Sequence, residues 1–358
     1  MQDKPMVLDP LHNDGHGTAK GALGRQIAAA MEAITFEKVA EEGFVNARTN
    51  ASYISQGLSI AALAGTPLAD GKDALVVAAG PSIHRYDTAR LISESGFKGT
   101  IIATDSAIGW CLRHGIIPHL AVTVDPHPSR IVRWLGDPSL DEEKLSSDDY
   151  FSRQDMDPKF REDQLRFNRE LLDLVNRYGP TIKIAVASSA PATVVSRILE
   201  AGMQMYWWNP MYDDYDKADS LTRKVYALNG LPCINAGGNV GSACWVMAHA
   251  VLGKRRVGLV GMDFAYYPDT PYSRTQKYRE VINLVGENRQ DEVYVRVLNP
   301  HLGIEFYTDP AYLWYRDAFV EMVPQAECVT FNCTGGGIVF GPGIHWTTLS
   351  EFLSSCTD

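Results

Sequence analysis

Residues 74–82, ALVVAAGPS, decide the fold class of this chain. The apolar run has the length of a buried strand and stops at Gly80-Pro81-Ser82, after which Ile83–Ser95 is predicted to be helical. A continuously apolar strand that ends in a glycine turn before a helix is typical of a parallel sheet covered on both faces. The turn would bring backbone N–H groups and a helix N-terminus together, which favours a bound phosphate. The alternative is a turn that only connects the two elements.

Further apolar runs alternate with helical segments along the chain. The predicted strands are Thr100–Thr104, Leu120–Val124, Thr181–Ala187, Met203–Trp208, Arg256–Val260 and Glu327–Asn332. The predicted helices are Ser106–His114, Ala192–Ala201, Gly241–Leu252 and Ala311–Met322. This alternation predicts an α/β fold with a Rossmann-like, mostly parallel sheet and helices on both faces.

The predicted domain organisation follows from the points at which this alternation of strands and helices begins and is interrupted. Residues 1–70 are predicted to be an N-terminal helical appendage, 71–350 a Rossmann-like domain and 351–358 a tail. Two polar stretches, near 136–180 and 268–310, are predicted to be insertions. The first is interpreted as a surface segment that could close over a ligand as a flap.

Composition narrows the class of protein. The net charge of −10 over 358 residues argues against a nucleic-acid binder. No run of about 18 apolar residues or signal-peptide pattern is present, and the six cysteines form no CxxC pair. We expect a cytoplasmic protein with reduced cysteines and no membrane span. A homo-oligomer is compatible with the sequence, which does not decide it.

A second glycine-rich loop, NAGGNVGS at 235–242, precedes the predicted helix that runs to Leu252. Its glycines permit close backbone approach to a ligand, and Asn239 and Ser242 add polar side chains. The alternative is a flexible turn that caps a core helix. The predicted ligand contacts of this loop are Gly237, Gly238, Asn239, Gly241 and Ser242.

Three aspartates, Asp105, Asp125 and Asp263, follow predicted strands directly. Carboxylates at this edge of a parallel sheet can hold Mg²⁺, a ribose hydroxyl or a substrate proton. Asp105, ahead of Ser106, could instead cap a helix. Asp125 shares a proline-rigidified loop with His127, which is either a general base or phosphate contact, or a solvated histidine.

Three segments resemble the MptE-like superfamily, which includes the bacterial motility accessory factors (Maf), proposed flagellin glycosyltransferases, and archaeal 6-hydroxymethylpterin diphosphokinases. They are Val76–Tyr86, Ala103–Asp125 and Gly237–Tyr266. Phe331–Gly343 is similar to a segment of the Maf branch but departs from it at Cys333 and Gly336. The Gly-Pro-Ser turn and the GMDF segment at 261–264 also resemble bacterial sialyltransferases that use CMP-activated sugars.

The resemblance implies a nucleotide-dependent transferase and assigns roles to the residues above. Nucleotide contacts are implied at Gly80, Pro81, Ser82, Asp105, Ser106, Gly237, Gly238, Asn239, Gly241 and Ser242. The resemblance makes Asp125 and Asp263 candidates for catalysis or metal binding, and His127 is a further catalytic candidate because of its place beside Asp125.

Three functions follow from this resemblance. The first is a glycosyltransferase that uses a nucleotide sugar, of the CMP type, as its donor. The second is a Mg²⁺-dependent 6-hydroxymethylpterin diphosphokinase that uses ATP, and the third a non-catalytic nucleotide-binding module. The expected partner is a small-molecule nucleotide, while the acceptor is not identified.

Overall fold

The computed structural model describes residues 20–128, 134–147 and 158–356, with backbone alone at 158–163. Within them, a ten-stranded sheet has every neighbouring pair parallel, in the order β1-β6-β5-β4-β3-β2-β8-β11-β12, and β7 pairs with the end of β6. Its strands are β1 (Leu58–Ser59), β2 (Asp73–Val77), β3 (Thr100–Thr104), β4 (Leu120–Thr123), β5 (Lys183–Ala187), β6 (Gln204–Pro210), β7 (Cys233–Ile234), β8 (Arg256–Val260), β11 (Val329–Asn332) and β12 (Ile344–Trp346). A separate antiparallel pair is formed by β9 (Val295–Asn299) and β10 (Ile304–Thr308).

Helices cover both faces of the sheet, as predicted. They are α1 (Ala22–Asn50), α2 (Thr88–Glu94), α3 (Asp105–Arg113), α4 (Glu142–Ser147), α5 (Pro158–Tyr178), α6 (Ala192–Glu200), α7 (Leu221–Asn229), α8 (Val240–Val246), α9 (Tyr278–Val285), α10 (Pro310–Met322) and α11 (Leu349–Ser354). A π-helical turn at Met247–Val251 continues α8.

Strand β2 contributes side chains to two hydrophobic clusters, one on each face of the sheet. Because successive side chains of a strand point to opposite faces, Val76 packs in the cluster that contains Trp245 of α8. Its neighbour Val77 packs in the cluster that contains Phe352 of α11. Both valines are fully buried, which explains the continuous rather than alternating apolar pattern.

The predicted helix over Ile83–Ser95 is wrong at its start. A 3₁₀ turn occupies Pro81–His84, and α2 begins only at Thr88. The cause is a tertiary contact, since the Ser82 hydroxyl donates to the Asp263 carboxylate over 2.7 Å and fixes the turn against the end of β8. The Gly80 turn is therefore followed by a single 3₁₀ turn and not by an α-helix N-terminus.

The prediction of a surface insertion at 136–180 is corrected for its second half. Leu171 and Val175 of α5 are buried in the same cluster as Ile108 of α3 and Ile184 of β5. The charged composition of α5 hid an apolar stripe at the i, i+4 spacing that covers the sheet. The proposed flap includes residues 148–157, which lie outside the described residues.

The segment near 268–310 leaves the main sheet and contains α9, β9 and β10. A bridge between Tyr266 and Tyr307 joins β10 to the chain that follows β8. At the other end of the fold, Leu58–Ser59 of the predicted N-terminal appendage pairs with β6 and so contributes to the sheet. The division into domains remains a prediction.

Helix α1 crosses the carboxyl edge of the sheet and is anchored near its C-terminal end by two asparagines. The Asn46 side-chain amide donates to the carbonyls of Pro126 and Ser189, over 3.1 and 2.9 Å. The side-chain amide of the fully buried Asn50 donates to the carbonyls of Ser188 and Ala190, over 2.9 and 2.6 Å. These bonds tie α1 to the loops that follow β4 and β5.

Replacing Asn50 with alanine should destabilise the protein by about 1–3 kcal/mol, because two buried carbonyls would lose their donor. The free energy of unfolding in urea measures the loss, and limited proteolysis should cut within α1 sooner. Thr49→Ala is the matched control, since Thr49 is exposed and its hydroxyl bonds to the Val45 carbonyl of the same helix. Equal stability of the two variants would contradict the anchoring role of Asn50.

None of the described helices combines the length and apolarity needed to cross a bilayer. All six cysteines lie within the described residues and are free, in agreement with the prediction.

Candidate functional site

A cavity of about 1760 Å³ lies at the carboxyl edge of the sheet, between the strand-end loops, α1 and α10. The chain winds in one direction from β2 to β6 and in the other from β8 to β12, so the winding reverses between the neighbouring strands β2 and β8. In open α/β sheets, ligands bind at the carboxyl ends of the strands beside such a reversal. The cavity therefore occupies the position that the topology favours for a ligand.

The structure brings most of the predicted site residues to this one cavity, from segments more than 150 residues apart. The predicted residues that line it are Gly80, Pro81, Asp105, Ser106, Asp125, His127, Gly237, Gly238, Asn239, Gly241 and Asp263. Ser82 and Ser242 do not line it: both are buried and bond to Asp263 and Asn239. Their side chains support the two glycine loops from within, and their predicted contacts with a nucleotide remain predictions.

The amides of the Gly80 turn are engaged within the protein. The Gly80 N–H donates to the Gly261 carbonyl over 2.8 Å, and the Ser82 N–H approaches the Asp263 carboxylate at 3.4 Å. A Cβ at position 80 would overlap both acceptors, so only glycine allows β2 and β8 to come this close. The main role that the structure shows for Gly80 is close packing, and its predicted contact with a phosphate remains a prediction.

The loop before α8 leaves more donors available. The Asn239 side chain accepts from the Ser242 N–H over 2.9 Å and caps the helix. Gly237 and Gly238 both have positive φ, at 58° and 76°. Among the described residues, the backbone N–H groups of Gly238, Val240 and Gly241 have no hydrogen-bond partner. This loop is thus the better-supported anion contact of the two glycine turns.

Two of the three carboxyl groups are deeply buried. Asp263 accepts from Ser82 through Oδ2, while its Oδ1 has no partner in the described part of the chain. Asp105 accepts from the Ser106 N–H over 2.7 Å through Oδ1, and its Oδ2 is likewise unpaired there. Asp125 is only partly buried, and its Oδ1 accepts from the His127 N–H over 2.8 Å. Asp125 is therefore the most accessible of these carboxyl groups.

Burial changes the protonation of the two enclosed groups. Loss of hydration raises the pKa of Asp105 to about 8; the bond from Ser106 opposes this rise and the nearby Asp125 charge adds to it. Loss of hydration also raises the pKa of Asp263 to about 7, although its bonds from Ser82 oppose the change. The raised pKa of each group favours its neutral form, in which a carboxyl group can donate a hydrogen bond as well as accept one.

Asp105→Asn should remove a pH-dependent loss of stability. In the unfolded chain Asp105 ionises near pH 4, whereas in the native state it keeps its proton up to about pH 8. Native stability therefore falls as pH rises between these values. The free energy of unfolding of the variant, relative to wild type, should increase by roughly 3–5 kcal/mol from pH 4 to pH 9. Urea titrations at both pH values measure this, with the exposed Asp87→Asn as control; a constant difference would contradict a buried, neutral Asp105.

The cavity carries more carboxylates than cations. Arg25, Lys38 and Lys277 line it, against Asp105, Asp125, Asp263 and five further acidic residues. No group of three His, Cys, Asp or Glu side chains able to hold a metal ion occurs among the residues that the structure describes. Mg²⁺ commonly binds through one or two carboxylates together with substrate phosphates, and the partly accessible Asp125 fits that mode. Asp263 also has an unpaired oxygen among the described residues, and metal binding by Asp125 together with Asp263 remains a prediction.

Sequence reasoning missed the walls of the cavity. Trp314 and Tyr315 of α10 line it, as do Arg25 and Lys38 of α1. The predicted helix Ala311–Met322 was correct, but helical periodicity indicates only which face packs inward. The adjacent aromatic pair Trp314–Tyr315 was the one available signal.

Comparisons with known proteins found a family model and a solved fold that this chain resembles. A family model described as 6-hydroxymethylpterin diphosphokinase MptE-like matches residues 46–134. Residues 46–134, which are similar to this family, are the MptE-like segment of the chain. It begins at Asn46, which anchors α1, and includes Gly80, Asp105, Asp125 and His127 of the cavity. The predicted resemblance to the MptE-like superfamily is thereby confirmed over this segment; a similarity to sialyltransferases remains a prediction.

The fold outside the MptE-like segment also has a solved counterpart. The structure of the Maf glycosyltransferase from Magnetospirillum magneticum AMB-1 superimposes with a TM-score of 0.51 over 87% of this chain, at 14% sequence identity. The match covers 39% of that longer chain, and at this identity it shows a shared fold alone. No curated protein matches the sequence.

Proposed function

We propose that this chain is a nucleotide-dependent transferase, and specifically a glycosyltransferase that takes its sugar from a nucleotide-activated donor of the CMP type. One observation supports this most: a glycine loop with available amides and three strand-end aspartates, distant in sequence, line one cavity at the point where the sheet reverses its winding. The MptE-like segment and the Maf-like fold are compatible with a transferase.

In this proposal the donor phosphate lies at the loop before α8. The N–H groups of Gly238, Val240 and Gly241 would donate to its oxygens and stabilise the charge that develops as the sugar leaves. Arg25 and Lys38 of α1 line the same cavity and would offset the charge of an anionic sugar or phosphate.

Asp125 would act as the general base. The acceptor hydroxyl would attack the anomeric carbon while the bond from that carbon to the phosphate oxygen breaks, and the electron pair of that bond would stay with the nucleotide. The hydroxyl proton would pass to Asp125. Asp105 and Asp263, whose raised pKa values favour the neutral form, would hydrogen-bond to substrate oxygens.

The excess of carboxylates favours a second candidate, Mg²⁺-dependent transfer of pyrophosphate from ATP to a hydroxymethylpterin. In that case Asp125 and Asp263 would hold the metal, which would neutralise phosphate charge. A non-catalytic nucleotide-binding module is the remaining alternative.

Thermal-shift measurements with CMP, CDP, UDP, GDP, ATP and 6-hydroxymethylpterin, each with and without Mg²⁺, test the proposal. A ligand that binds only the folded state raises Tm to an extent set by its concentration relative to Kd. Sugar transfer predicts stabilisation by CMP without metal, and release of CMP from a CMP-sugar. Stabilisation by ATP only with Mg²⁺, together with pterin binding, would contradict it in favour of the diphosphokinase. A chain that binds nucleotide but releases no product from any donor would be the binding module.

A further inference from the structure

The indole of Trp314 lies directly against the glycine loop. A Cβ on Gly238 would lie 2.5 Å from Cη2 and 2.7 Å from Cζ3 of the Trp314 ring. The ring can occupy this position only because residue 238 has no side chain. Gly238 is exposed and Trp314 is only partly buried, so their contact leaves both residues accessible from the cavity. The indole ring thus forms part of the cavity wall beside the available amides.

The rest of this wall is also aromatic. Tyr315 follows Trp314, with ring centroids 5.1 Å apart, and Phe264 from the end of β8 lies 6.3 Å from Tyr315. All three residues line the cavity. Within the described parts of the chain, the Trp314 indole N–H forms no hydrogen bond, and the half-buried Trp314 lines the cavity, so this donor is available to a ligand. The wall therefore offers an aromatic surface and an available donor beside an anion contact.

We infer that Trp314, with Tyr315, stacks a planar heteroaromatic ring of the substrate while the adjacent loop amides hold its phosphate. Stacking on a tryptophan tolerates any ring with an exposed π-face, and the available indole N–H can donate to a ring or ribose oxygen. In a nucleotide the ring and the phosphate are joined through one sugar, and contact between Trp314 and Gly238 places both recognition elements within that reach. This inference rests on the proposed function and specifies where the ring of its substrate binds.

Two ring sources share this chemistry, a nucleobase and a pterin. The experiment therefore compares CMP, ATP and 6-hydroxymethylpterin with inorganic pyrophosphate, which has phosphate groups but no ring. Equilibrium binding to the full chain is measured for wild type, Trp314→Leu, Trp314→Phe and Trp346→Leu. Trp346 is the matched control, because its ring stacks on His301, 5.0 Å away, and does not line the cavity.

Trp314→Leu should bind its ring-containing ligand at least about tenfold more weakly while pyrophosphate affinity changes less than about twofold. Trp314→Phe should recover most of the affinity, and Trp346→Leu should match wild type. Selective loss of CMP or ATP binding assigns the ring to a nucleobase, and selective loss of pterin binding assigns it to a pterin.

Unchanged affinity for every ring in Trp314→Leu overturns this inference while leaving the proposed function intact. Equal weakening of pyrophosphate also overturns it, since that pattern reflects a deformed loop. Failure of every nucleotide and pterin to bind wild type would overturn the proposed function and this inference together.

Discussion

Asp125→Asn is expected to lower turnover by a factor of about 10³ while leaving the fold intact. General-base catalysis by a positioned carboxylate contributes about 10²–10⁴ in rate, and asparagine cannot take the proton. The fold should survive, because the side-chain oxygen of the introduced asparagine can still accept the His127 N–H that Asp125 Oδ1 accepts now. Turnover is measured as release of free nucleotide from the donor that the ligand screen identifies.

The control for this prediction is Glu94→Gln, which removes an exposed carboxylate of α2 that pairs with Arg90. Its turnover and Tm should both match wild type. A fully active Asp125→Asn would exclude Asp125 from the reaction, and a variant with a much lower Tm would assign it a structural role instead.

Gly261→Ala should destabilise the protein by at least about 4 kcal/mol. Gly261 has a φ of 69°, and a Cβ there would overlap the Ala78 carbonyl, a backbone atom that cannot rotate away. The β2 and β8 ends would have to separate, and the Gly80 to Gly261 bond would be lost.

Gly71→Ala separates the cost of a left-handed backbone conformation from the cost of the overlap with the Ala78 carbonyl. Gly71 has nearly the same φ, 70°, but nothing lies within 4 Å of a Cβ placed there. It should lose only the roughly 1–2 kcal/mol of a left-handed alanine. Urea unfolding of both variants gives the comparison, and equal losses would show that backbone strain alone, and not the β2–β8 contact, sets the cost.

The strands could be predicted because a strand buried on both faces is apolar along its whole length. Thr100–Thr104 and Arg256–Val260 were predicted with the bounds that the structure has, since each is an apolar run flanked by polar residues. The convergence of Asp105, Asp125 and Asp263 was predictable for a related reason: parallel strands end at one edge.

The failures have a different physical origin. The start of α2 depends on the bond from Ser82 to Asp263, a contact between residues 181 positions apart that no local pattern records. The hydrogen bond from the Gly80 N–H to the Gly261 carbonyl likewise depends on the pairing of β2 with β8. Trp314 was missed because its role depends on which loop α10 faces, and a single helix does not contain that information.

The ends of the large sheet are short, and this affects how one molecule meets another. On one side, the outer edge of β6 is met by two strands of two residues each, Leu58–Ser59 and Cys233–Ile234; on the other, β12 has three residues. Such short margins expose few unpaired N–H and C=O groups, so they offer little on which a neighbouring chain could build a continuous ladder. At both of its borders, the large sheet is thus protected against the strand-by-strand addition of another chain.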